Sequence, residues 1–120
     1  MAVTFTTIKG DKELDYGYGG FRYFRATLAA KIDKELGELY GDTVYMLRYP
    51  DAFNKQFNTL VSQPRFAGKE ELIEFLCMSD CDGKIPARLC KQIAEIMNDD
   101  DSLTEMMRWC AEHRRKLVWY

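Results

Sequence analysis

The chain has 120 residues, of which 47% are hydrophobic and 13% aromatic, and its 17 basic and 19 acidic side chains leave a formal charge of −2. That length suits one ordinary domain spanning residues 1–120, with a real core and too much apolar content for a disordered chain. The near-balance of charge excludes a nucleic-acid binder that works through a broad basic face, and it gives no pull toward an anionic membrane.

The opening Met1-Ala-Val-Thr-Phe-Thr-Thr-Ile8 lacks the basic and long apolar regions of an export signal, and no run is long enough to span a bilayer, so a soluble cytoplasmic protein is expected. Cys77, Cys81, Cys90 and Cys110 lie within or beside helical patterns. In a reducing compartment such thiols are expected to be free.

Ala2 to Ile8 alternates, with Val3, Phe5 and Thr7 on one face, and three threonines beside Val, Phe and Ile favour a strand. Gly10-Asp11 reads as a two-residue hairpin turn, with Gly10 supplying positive φ and Lys12 to Asp15 returning as a second strand. After the Tyr16-Gly-Tyr-Gly-Gly20 segment, Phe21, Phe24, Leu28, Ile32, Leu36 and Leu39 step by three or four residues. This spacing predicts one long helix ending at Gly41 as a C-terminal cap, with Arg22, Lys31, Lys34 and Glu38 on its solvated side.

Asp42 to Pro50 is ambiguous between a strand, a helical extension and an ordered connection. Asp51 to Ser62 is predicted helical with Phe53, Phe57, Leu60 and Val61 inward, stopping before Pro64. Lys69 to Met78 is a further helix, opened by Glu70 and Glu71 where the helix dipole favours acids. Pro86 suits a first helical position, and Leu89, Cys90, Ile93, Ile96 and Met97 define that helix's inner face. Ser102-Leu-Thr-Glu105 reads as a capping box ahead of Met106, Met107, Trp109 and Cys110. Leu117 to Tyr120 has strand composition and is expected to pair with the N-terminal ribbon, since a two-stranded ribbon alone is marginal in water.

One segment invites a specific biochemical claim. Asp80-Cys-Asp-Gly-Lys-Ile85 looks like the middle of an EF-hand loop, which takes oxygen ligands at positions 1, 3, 5, 7 and 9, glycine at 6 and a bidentate Glu at 12. With Gly83 at position 6, Asp82 and Asp80 fall at 5 and 3, but Met78, Pro86 and Leu89 fall at 1, 9 and 12. The missing outer acids remove most of the charge that holds the cation. The structural alternative is a tight helix–loop–helix corner with Gly83 left-handed, Asp80 or Asp82 on nearby backbone N–H groups, and Ile85 and Leu89 buried.

Zinc is the other metal to weigh, through Cys77, Cys81, Cys90 and Cys110 with His113 as a further ligand. Structural zinc favours Cys-x-x-Cys pairs, whereas Cys77 and Cys81 enclose three residues and Cys90 and Cys110 fall on apolar stripes that suit core filling. No catalytic grouping is evident. His113 lies with Arg114, Arg115 and Lys116 near a helix end, where cations complement the dipole, and Gly17, Gly19 and Gly20 match no phosphate-binding fingerprint. The acidic run Asp99, Asp100 and Asp101 reads as a solvated loop or as a docking patch for a basic partner. Tyr16 and Tyr18, with Tyr40, Tyr45 and Tyr49, cap the core or supply an interface.

Taken together, Asp15-Tyr-Gly-Tyr-Gly-Gly-Phe21, Phe75-Leu-Cys-Met-Ser-Asp-Cys-Asp-Gly-Lys-Ile85 with Cys90, and the Trp119-Tyr120 end resemble a group of small bacterial proteins. The resemblance covers most of the chain and implies a bacterial, intracellular single domain. Its motifs bring no catalytic residue, substrate or cofactor.

The expectation is an α+β domain, mostly helical with about five helices, and a small antiparallel ribbon formed by the two chain ends. The expected function is a non-enzymatic protein-interaction module of immunity or adaptor type, with Tyr16, Tyr18, Asp99, Asp100 and Asp101 as interaction candidates and another protein as partner. The alternative is a metal-binding protein using Asp80 and Asp82 or the cysteines, Cys77 and Cys81 foremost.

Overall fold

The computed structural model describes residues 2–120, which form a mostly helical α+β fold with one four-stranded antiparallel sheet. Strand β1 (Ala2–Thr7) lies between β2 (Glu13–Gly17) and β4 (Leu117–Trp119), so the chain ends do pair. The outer edge of β4 carries β3 (Gly83–Ile85), giving the order β2-β1-β4-β3. Sequence reasoning did not foresee this fourth strand; it emerges directly from the acidic corner.

Alternation fixes the register. Val3, Phe5, Thr7, Ile85, Leu117 and Trp119 are buried, with Phe5 opposite Trp119 and Ile85 opposite Leu117 across the ladders. Gly10 has the expected positive φ of 71°, but residues 8–12 separate the two strands, so the turn is longer than two residues. Asp11 tightens that turn by accepting hydrogen bonds from the Thr7 hydroxyl and from Arg115, which ties it to the connection between the last helix and β4.

The predicted long helix is two helices, α1 (Tyr18–Ile32) and α2 (Lys34–Gly41). Asp33 breaks it by adopting an extended conformation (φ −162°, ψ 135°) and accepting a hydrogen bond from the Leu36 amide at 3.1 Å, which caps α2. The break folds α2 back onto α1, where a side chain on Gly37 would sit 2.4 Å from the Ala30 Cα. Gly41 ends α2 without the left-handed conformation expected of it.

The ambiguous segment is a short helix, α3 (Thr43–Arg48), started by the Asp42 carboxylate, which accepts from the Tyr45 amide at 3.0 Å. It leads into α4 (Pro50–Val61), which buries Phe53, Phe57 and Leu60, and α5 (Glu70–Cys77) buries Leu72, Phe75 and Leu76. Helix α6 (Ala87–Met97) begins one residue later than expected, so Pro86 is its cap and offers its carbonyl to the Leu89 and Cys90 amides. In α7 (Ser102–His113) the cap is Asp101 and not Ser102, because the Asp101 carboxylate accepts from the Leu103 amide at 3.0 Å. Seven α-helices are therefore present among the described residues.

Sheet and helices meet in an aromatic cluster. Phe21 of α1 stands edge-on to Phe5 at 5.0 Å and to Trp119 at 5.6 Å between ring centroids, and Phe75 of α5 stands edge-on to Trp119 at 5.9 Å. Every one of these rings is fully buried. This cluster sets α1, α5 and the acidic corner against the sheet.

Candidate functional site

The site is built around Arg25. It stands on the buried stripe of α1 between Phe21, Phe24 and Leu28, and only 2% of its side chain is exposed. Burying a guanidinium is costly unless donors and charge are matched. The segment after α5 does the matching. Arg25 donates to the Met78 carbonyl at 2.6 Å and the Ser79 carbonyl at 3.1 Å, and it faces the Asp80 carboxylate at 3.3 Å. Its guanidinium lies 4.0 Å from the Phe21 ring centroid and 5.3 Å from that of Phe75, where the ring faces add cation–π attraction.

The corner closes with further side chains. The Trp119 indole N–H donates to the Ser79 carbonyl at 3.0 Å, the Tyr40 hydroxyl donates to the Leu76 carbonyl at 3.0 Å, and the Ser79 hydroxyl accepts from the Cys81 amide at 3.1 Å. The Leu76, Met78 and Ser79 carbonyls, at and just beyond the end of α5, thus find side-chain donors.

The acidic loop therefore differs from its expected form in two ways. Gly83 does not have positive φ; it is the first residue of β3, opposite Trp119. Asp80 does not cap backbone N–H groups; it pairs with Arg25 and, through its other oxygen, with Arg22 at 3.3 Å. Ile85 and Leu89 are buried as expected, and Asp82 is exposed.

The other predicted site residues are dispersed. Cys77 and Cys81 are exposed and Cys90 and Cys110 buried. The neighbouring Cys110 thiol on α7, together with burial, pushes the Cys90 thiol on α6 up. Among the described residues, no group of three or more His, Cys, Asp or Glu side chains is arranged to hold a metal ion. His113 is exposed and stacks on Trp109 at 4.0 Å.

Tyr16 and Asp101, read separately from the sequence, meet: the Tyr16 hydroxyl donates to Asp101 Oδ2 at 2.9 Å. Burial, then Asp101, holds the Tyr16 phenol above its ordinary range. Asp99 accepts from the Asp101 amide, while Asp100 is exposed. Tyr18 lies apart from them, half-buried beside Cys81, which raises its phenol ahead of Asp80.

Between α1, α3, α4 and the corner runs a cleft of about 350 Å³. Its lining brings together the charged Arg22, Arg25 and Asp80 and the apolar Met46, Phe53 and Phe57. Cys77 and Tyr40 also face it, and desolvation pushes both groups up.

Helix α3 forms a wall of this cleft through Thr43 and Met46 and turns a different face outward. It has no buried residue, and Val44, Leu47 and Tyr49 are 60%, 73% and 57% exposed. Val44 and Leu47 are one turn apart and so adjoin on the surface.

Sequence reasoning missed Arg25, and it left the α3 segment open between a strand, a helical extension and an ordered connection. A cation on the apolar stripe between Phe24 and Leu28 was the available signal for Arg25. Comparison with protein-family models, curated proteins and solved structures finds no match, so no relative's chemistry bears on these residues.

Proposed function

We propose that this protein is a non-enzymatic protein-interaction module, bacterial and cytoplasmic, of immunity or adaptor type, and that α3 presents its contact face. The observation that carries the reading is the outward surface of α3. Val44 and Leu47 on α3, and Tyr49 at its C-terminal cap, expose apolar area, while the half-buried Tyr45 and Met46 of the same helix pack against the core. Apolar residues so placed lose water on contact with a second protein, and tyrosine is enriched where interfaces concentrate their energy. Arg48, exposed on the same helix, adds a cation at the rim.

Among the described residues, no helix is long and apolar enough to cross a membrane. Tyr16 and Asp101 are committed to each other, which leaves Tyr18 and Asp100 as the freer of the earlier interaction candidates.

The test is capture from lysate of the source cells with wild type, Leu47→Asp and Val44→Asp. Both side chains are mostly in solvent, so the variants should keep wild-type circular dichroism and melting temperature. A stoichiometric partner should bind wild type and be weakened about tenfold or more by either variant. Equal recovery by all three proteins would remove α3 as the contact face.

A further inference from the structure

At the corner two arginines meet one carboxylate. Among the described residues, Asp80 is the ion-pair partner of both Arg22 and Arg25, each at 3.3 Å. Two guanidiniums share one carboxylate, so within this trio one positive charge has no carboxylate of its own. Arg25 is buried, and its Nε has no hydrogen-bond partner. Arg22, 54% exposed at the mouth, uses a single nitrogen on Asp80. A cationic excess beside a partly desolvated cleft is a charge complement waiting for an anion.

The rest of the cleft says what kind of anion. Met46, Phe53 and Phe57 line the same cleft as the arginines, and the volume of about 350 Å³ falls at the lower end of the range for small-molecule sites. A single excess charge suits a monoanion, and a guanidinium with free N–H groups matches the geometry of a carboxylate. The aromatic and thioether wall suits an apolar tail.

We propose that this cleft binds a small amphipathic carboxylate, with its head on the Arg22 guanidinium and its tail against Met46, Phe53 and Phe57. The site stands independently of the outward face of α3. The two share a helix, since Met46 lines the cleft while Val44 and Leu47 face solvent.

Methionine methyl resonances provide the test. Met46 and Met78 line the cleft, whereas Met97, Met106 and Met107 lie buried on α6 and α7. Titration with 3-phenylpropionate should shift Met46 and Met78 saturably and leave the other three in place. Neutral 3-phenylpropanamide, of nearly the same shape, should bind about tenfold or more weakly to wild type, as should 3-phenylpropionate to Arg22→Gln. Arg22→Gln leaves the Arg25–Asp80 pair in place, and unchanged Met97, Met106 and Met107 resonances report that the variant is folded. No saturable shift with the acid, equal affinity for acid and amide, or undiminished binding to Arg22→Gln would each overturn the proposal.

Discussion

Trp119 occupies the space in which Gly83 would carry a side chain: a Cβ there would lie 2.1 Å from the indole Cζ2. Gly83 is required by close approach across the β3–β4 ladder and not by a left-handed backbone. Gly83→Ala should therefore destabilise the fold by about 1–3 kcal/mol in urea unfolding and alter the near-ultraviolet signal of Trp119. Gly10→Ala should act differently. Its site is empty within 4 Å but has φ of 71°, so strain should lower stability without touching the tryptophan signal.

Removing the Arg25 guanidinium should be costlier than removing the charge it faces. Arg25→Met takes the donor from the Met78 and Ser79 carbonyls, an expected loss of about 2–4 kcal/mol. Asp80→Asn keeps those bonds but leaves the buried Arg25 charge without its counter-ion, and because Asp80 is itself 35% exposed the loss should be smaller, about 1–2 kcal/mol. Denaturant melts of the two variants decide the order. Equal costs would mean that the ion pair, and not the carbonyl contacts, holds the corner.

The periodic parts of the fold were legible because one residue type per position sufficed to set a face. Val3 and Phe5 on the strand, Phe53 and Phe57 on α4, and Ile85 and Leu89 at the corner are buried as their spacing implies. What escaped depended on single polar atoms or distant partners. The apolar spacing runs unbroken from Phe24 to Leu39, and only the Asp33 carboxylate on the Leu36 amide reveals the break. Asp42 likewise turns a β-prone Thr43-Val-Tyr into α3. The partners of Arg25 lie more than fifty positions along the chain, so its burial could not be read from neighbouring residues.

The Tyr16–Asp101 bond ties β2 to the start of α7 and makes stability pH-dependent on the alkaline side. The Tyr16 phenol is raised above its ordinary value of 10.0, so the folded state holds that proton more tightly than the unfolded chain. Its contribution is complete below pH 10 and is lost as pH rises beyond it. Tyr16→Phe should cost about 1 kcal/mol at neutral pH. The stability advantage of wild type over the variant, measured by urea melts, should be flat below pH 10 and shrink above it. An advantage that grows with pH would show that the phenol is not held protonated.

The thiols should separate into two classes. Cys77 and Cys81 are exposed and should react with an aromatic disulfide reagent in the native protein, whereas Cys90 and Cys110 should react only on unfolding. Desolvation pushes the Cys77 thiol up, so it should react more slowly than Cys81, and the gap should narrow as pH rises. Mass-spectrometric mapping of the modified sites reads both the classes and the order. Early labelling of Cys90 or Cys110 would show that the α6–α7 contact opens readily.

Backbone amide hydrogen exchange, compared between the free protein and its captured complex, tests the α3 contact face most directly. Exchange should slow on binding across residues 43–49, around Val44, Leu47 and Tyr49, while the buried strands β1 and β4 stay unchanged. Protection centred on residues 99–101 or on Tyr18, with α3 exchanging as in the free protein, would contradict it.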